Sequence, residues 1–280
     1  MEKFTLEILF HIIGIGSASG LFYQNNQLFI VGDNSGYLYD YSIADAQLQK
    51  HPLIQNPSEN ITKKEKPDFE SLVHYQDTLY IFGSGSTQNR NKMVEFDIHQ
   101  KKKTATNNLT DLYAVMQSFA NIKPEEFNLE GALYEPENEN WYFFNRGNGP
   151  SGKNTLFTFH AKKLDQEFSL LSNDYKLPKI KGVRTSFTDA VLVDDTLYFL
   201  AAAEDTPSTY EDGQVLGTVL GCISLETMKI KFTKKITDTH KFEGITIHKQ
   251  SNNQIEFLLC EDNDTDALKT TIYKLTLNTK

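Results

Sequence analysis

Five positions in this 280-residue chain have side chains that could act together: Ser19, Glu70, Glu130, Asp189 and Glu243. They lie 51, 60, 59 and 54 residues apart, and the 37 residues after Glu243 plus the first 19 make a fifth interval of 56. Each stands at the start of a short apolar run: SGLFY, ESLVHY, EGALY, DAVLV and EGITI. If the intervals are steps around a ring, four carboxylates and a hydroxyl converge on its axis. Four anions that close repel one another by roughly several kcal/mol at an effective dielectric of about 20. Protonation relieves part of this, and a hard cation relieves more. Ca2+ accepts about six to eight oxygen ligands in loose geometry, whereas Mg2+ demands a tight octahedron. The expectation is therefore a Ca2+ site formed by Ser19, Glu70, Glu130, Asp189 and Glu243. The alternative for any one of them is a strand cap that accepts backbone N–H groups.

The elements that would position these residues repeat with them. After each apolar run comes a polar turn (QNNQ, YQDT, ENEN, DDT, SNNQ), a second strand rich in Leu, Tyr and Phe, and a polar loop. A further apolar strand follows, as in KMVEFDI, NTLFTFH, VLGCISL and TTIYKLTL. Units of 50 to 60 residues built from short strands are the mark of propeller blades. The reading is an all-β chain forming a single domain over residues 1–280, a five-bladed β-propeller. An amino-terminal strand at about 4–12 completes the last blade, which leaves no open sheet edge at the seam. One helical insertion is expected over 110–122, with Leu112, Val115, Met116 and Phe119 on one face and Pro124 just beyond it.

Two antiparallel strands return the chain to its starting side, so the loop after each second strand should project onto the face that carries the acids. Two of the three arginines, Arg90 and Arg146, fall in these loops, and Arg184 precedes Asp189 by five residues. Lys66, Lys153 and Lys241 lie close to the same rim in sequence. Arginine's planar fork suits phosphate and carboxylate. Arg90, Arg184 and Lys153 are the expected contacts to a substrate anion; surface salt bridges are the plainer alternative.

Composition narrows the classes. The net charge is −9 and the pI about 5.3, so a broad electrostatic grip on nucleic acid is not expected. No apolar run approaches the roughly 20 residues of a membrane span, and no membrane partner is expected. The start MEKFTLEILFHI lacks a cleavage pattern, which reads as cytoplasmic for the chain as it stands, or periplasmic or secreted had a signal been removed. Cys222 and Cys260 lack metal or redox spacing and read as buried apolar residues. The seven histidines form no paired metal motif, and no P-loop, dinucleotide glycine motif before a helix, or GxSxG elbow occurs.

The segments GSASGLFYQNNQLFIVGDNSGYLYDY, DLYAVMQSFANIKPEEFNLEGALYEPENENWYFFNR and FEGI resemble the calcium-activated nucleotidases, the apyrase family of five-bladed propellers. The acid-plus-glycine phrase is also similar to phytase-like and lactonase-like propellers. The resemblance implies an axial calcium held by Ser19, Glu70, Glu130, Asp189 and Glu243, with Asp189 standing where the family has Ser. It implies phosphate chemistry at Asp33, as base, and Arg146, as the charge-stabilising residue. Gly32, Asn34 and Gly147 replace the neighbouring acid, base and second arginine of that family.

Two functional readings stay open. One is a calcium-dependent hydrolase of a phosphorylated small molecule, active as a monomer. The other is a non-catalytic propeller with a structural calcium whose rim binds a glycan or protein partner; Trp141 as the single tryptophan is sparse for a lectin.

Overall fold

A computed structural model of the chain describes residues 3–206, 213–262 and 267–278. Five four-stranded antiparallel sheets form a five-bladed propeller. Blade one comprises Gly20–Gln24, Gln27–Val31, Tyr37–Ser42 and Gln47–Pro52. Blade two is Phe69–Tyr75, Thr78–Gly83, Lys92–Asp97 and Lys102–Asn108; blade three is Leu129–Glu135, Asn140–Asn145, Asn154–His160 and Ser169–Tyr175. Blade four is Ser186–Val193, Thr196–Asp205, Gln214–Ser224 and Lys229–Thr237. Blade five takes Phe242–Ser251, Gln254–Glu261 and Lys269–Asn278 from the end of the chain, and its outer strand, Phe4–Ile13, from the beginning.

Local chemistry explains the strands. Val, Ile, Tyr and Phe fill them because these side chains pack well on a pleated surface. The turn of the first hairpin places both Asn25 and Asn26 at positive φ, 50° and 62°, a conformation that suits the twist of the flanking strands and that Asn tolerates. Aromatic and aliphatic side chains then fill the wedges between blades. Phe82, Trp141, Phe143 and Phe159 do so between blades two and three.

The five innermost strands touch one another in a closed ring, each against two neighbours. Their approach is close enough to demand small residues. A Cβ on Gly20 would lie 2.8 Å from the Glu70 carbonyl oxygen, and one on Gly244 would lie 2.6 Å from Cys260 Sγ. Both cysteines are free and buried.

The helix forms over Thr110–Ala120 and ends at Asn121 in the left-handed region. Its buried face differs from the expected one. Leu112, Tyr113, Met116 and Ala120 are inside, whereas Val115 and Phe119 are exposed. The reason is Tyr113, whose hydroxyl donates to the Gly83 carbonyl at 2.8 Å while its ring packs on Phe127, rotating the helix toward that side. Among the described residues, no helix is long and apolar enough to cross a membrane.

Candidate functional site

Each innermost strand begins with an irregularity that aims one residue at the axis. The register skips a residue at Glu70, Glu130 and Glu243, each extra residue being left outside the ladder, as β-bulges beside functional sites do. Ser19 holds the corresponding place in blade one, just before the Gly20–Val31 pair. In blade four the skipped residue is Thr188. The expected equivalence of Asp189 with the glutamates is thus corrected by one position. Asp189 stands where the other blades have Gly20, Ser71, Gly131 and Gly244. The phrase FTDA offered two polar residues, and only the ladder distinguishes them.

Asp189 still contributes a buried carboxyl. Its Oδ2 accepts the Ile245 N–H of the next blade at 2.8 Å, and burial pushes its pKa well above the ordinary range. Thr188 turns its hydroxyl to the Phe242 carbonyl at 2.7 Å.

Asp33, Asp68 and Glu70 bring carboxylate oxygens within 4.8 Å of one another. Asp33 arrives from the loop after the second strand of blade one, as expected. Asp68 was not anticipated. It stands two residues before Glu70, and its counterparts Ser17, Asn128, Ser186 and Lys241 are likewise polar and buried. That polar repeat position was visible in the sequence beside the acids. Asp68 has a φ of 55°, an uncommon conformation for a residue other than glycine. It is held there by Lys66 at 2.8 Å, Arg90 at 2.7 Å and the hydroxyls of Ser84 and Ser86.

Lys66 also pairs with Asp33. Glu70 is different: among the described residues its carboxylate has no hydrogen bond or ion pair. Burial raises its pKa well above the ordinary range, and the nearby Glu130, Asp68 and Asp33 add to the rise. Burial also raises Asp33, against the pull of Lys66. Ser19 Oγ and Asp33 Oδ1 are buried here without a partner, as is Arg90 Nε.

A second network completes the ring. Arg146 donates to Glu130 at 3.1 Å and also pairs with Glu204. Lys241 reaches Glu204 at 3.1 Å and Glu243 at 2.9 Å. Burial is the leading cause that raises Glu130 and Glu243, and both also feel like charges nearby. Among the described residues, the carboxyls of Asp33, Asp68, Glu70, Glu130, Asp189, Glu204, Glu243 and Asp262 gather here with four cations, Lys66, Arg90, Arg146 and Lys241. Carboxyl groups outnumber cations two to one, and a divalent cation suits that donor set of carboxylates and an unpartnered hydroxyl.

The expected anion contacts divide. Arg90 and Arg146 reach the axial face but spend their forks on Asp68, Glu130 and Glu204, with Arg90 also donating to the Lys63 carbonyl. Arg184 is exposed on the rim. Lys153 points elsewhere: its ammonium donates to the Ala120 carbonyl at 2.7 Å, where the unpaired carbonyls of a helix end attract a cation. Lys153 is a helix cap, not part of the rim.

Solved structures that share the fold include glutaminyl cyclase from Myxococcus xanthus, with a TM-score of 0.55 at 12% identity over 97% of both chains. A luciferin-regenerating enzyme matches with a TM-score of 0.53 at 8% identity, over 98% of this chain and 95% of the other. The PQQ-bound aldose sugar dehydrogenase from Streptomyces coelicolor gives 0.51 at 10% identity, over 98% of both. At these identities the likeness is one of fold. Among curated proteins none matches the sequence. A family model matches residues 14–277, nearly the whole propeller, and the chain therefore belongs to DUF6929, a family of unknown function.

Proposed function

We propose that the axial mouth is a Ca2+ site and that the protein hydrolyses a phosphorylated small molecule there. The observation that carries this reading is the convergence of Asp33, Asp68 and Glu70 within 4.8 Å, with Glu70 making no direct ion pair among the described residues. Asp68 and Glu70 would hold the ion beside Asp33, with Ser19, Glu130 and Glu243 closing the ring around it and Asp189 in the channel wall. Bound Ca2+ would supply charge for phosphate oxygens and acidify a water molecule. The chain's own residues do the rest. Asp33, with its pKa raised by burial and one oxygen unpartnered, is placed to take the proton of an attacking water. Arg90 and Arg146 lock the carboxylates in position, and the substrate's anion is left to the ion and to Arg184. The likeness of the blade phrases to calcium-activated nucleotidases and phytase-like propellers supports the substrate class.

The test is phosphate release from a panel of nucleotides and phosphorylated sugars, with Ca2+ and with a chelator. Calcium-dependent turnover that the Asp33→Asn variant loses is the expected result. Calcium that raises the melting temperature without turnover of any phosphorylated compound would instead favour the non-catalytic reading, a structural ion beneath a rim that binds a glycan or protein.

A further inference from the structure

Arg184 is the one arginine that the carboxylate networks do not absorb. It ends a small hairpin, Lys179–Ile180 paired with Val183–Arg184, turned by Lys181 and Gly182 at φ of 50° and 89°. Among the described residues it makes no hydrogen bond or ion pair. Its guanidinium reaches Gly152 with Nη1 foremost, so that a Cβ there would come within 1.7 Å of Nη1. Gly152 has a φ of 63°, which strains any other residue there, and a Cβ would push the Arg184 guanidinium out of its present place.

Arg184 lines a cavity of about 210 Å3 together with Ser186, Thr206, the glycine-rich 147–150 loop, and Arg146 and Glu204 of the axial network. Glu204 is already held by Arg146 and Lys241. The Arg184 charge is therefore the free one on this wall, beside a loop whose glycines let backbone approach a ligand closely.

We propose that this cavity is an oxyanion subsite, in which Arg184 grips the phosphate or carboxylate end of a small molecule and holds the remainder toward the axial acids. A planar guanidinium makes paired hydrogen bonds to either group. Gly152 is its positioning residue. The identification of the bound anion as substrate rests on the function proposed above; the subsite itself does not.

The test titrates inorganic phosphate and, separately, malonate into the full-length protein and its Arg184→Gln and Gly152→Ala variants by calorimetry, with Ca2+ titrated in parallel. Binding of one anion should weaken by about tenfold or more in both variants, and Ca2+ affinity should not change. Arg184→Lys should recover part of the loss. If malonate alone shows the Arg184 dependence, the subsite stands and the phosphate reading falls. If Ca2+ fails to bind while the anion still does, the metal reading falls alone. Equal anion affinity in the wild type and Arg184→Gln, or no binding of either anion at millimolar concentration, overturns the subsite. Arg184 is exposed, so its variants should fold; a melting curve guards against misfolding in Gly152→Ala.

Discussion

Arg146 and Glu204 are a buried ion pair that joins blade three to blade four, and the same guanidinium holds Glu130 at 3.1 Å. Removing it strands the buried Glu130 carboxylate and leaves Glu204 to Lys241 alone. Arg146→Ala should destabilise the fold by about 3–5 kcal/mol, the cost of leaving a buried charge uncompensated, as read by urea unfolding. A loss below about 1 kcal/mol, the scale of an exposed pair, would mean that the network is wetter than its burial indicates.

Glu70 should behave in the opposite sense. Its carboxylate is buried beside Glu130, Asp68 and Asp33, which outweigh the more distant pull of Lys66, so Glu70→Gln removes repulsion and desolvation. The expected outcome is a higher melting temperature in chelator and a weakened response to added Ca2+. A variant that melts lower in chelator and keeps its Ca2+ response would remove Glu70 from the ion site.

The raised pKa values of Asp33, Glu70, Glu130, Asp189 and Glu243 set a pH dependence. In each, the folded value exceeds the unfolded one, so the protonated form favours the fold. That contribution is complete below the ordinary carboxylate values of 3.8 and 4.5 and is lost as pH rises through the folded values. In chelator, the melting temperature should fall as pH rises above the ordinary carboxylate value of 4.5, and millimolar Ca2+ should flatten that slope. A melting temperature that climbs with pH in chelator contradicts the assignment.

Lys153 offers a control. Its ammonium caps the helix Thr110–Ala120, so Lys153→Gln should cost about 0.5–1 kcal/mol in unfolding experiments while Ca2+ and anion binding stay at wild-type values. A variant that loses anion binding would return Lys153 to the rim.

These outcomes turn on residues whose placement the sequence displayed unevenly. The interval between acids and the wrap from Glu243 to Ser19 were enough for the blade number and the closing strand, because a ring imposes its period on the chain. Glu70, Glu130 and Glu243 were legible for the same reason. Asp189 was read one place off, since a bulge depends on which backbone groups pair and leaves no mark in FTDA. Asp68 was passed over because only its blade-to-blade counterparts reveal it. Lys153 stands close to Arg146 in sequence, but its long flexible stem carries the ammonium to a helix end that the sequence alone does not position. The two arginines on the axial face were located correctly and their partners were not. A fork that suits phosphate suits a carboxylate equally well.

The pairing of Phe4–Ile13 with Lys269–Asn278 also dictates an order of assembly. Phe4–Ile13 must wait for Lys269–Asn278 before it finds its place, so four blades can form in sequence while the fifth stays open. Until then the strand's edge and its apolar Ile8, Leu9 and Ile13, which are exposed even in the finished molecule, are available to any neighbouring chain. Contacts spanning nearly the whole chain make this the slow step. A nascent propeller of this kind is most vulnerable to aggregation just before its ring closes.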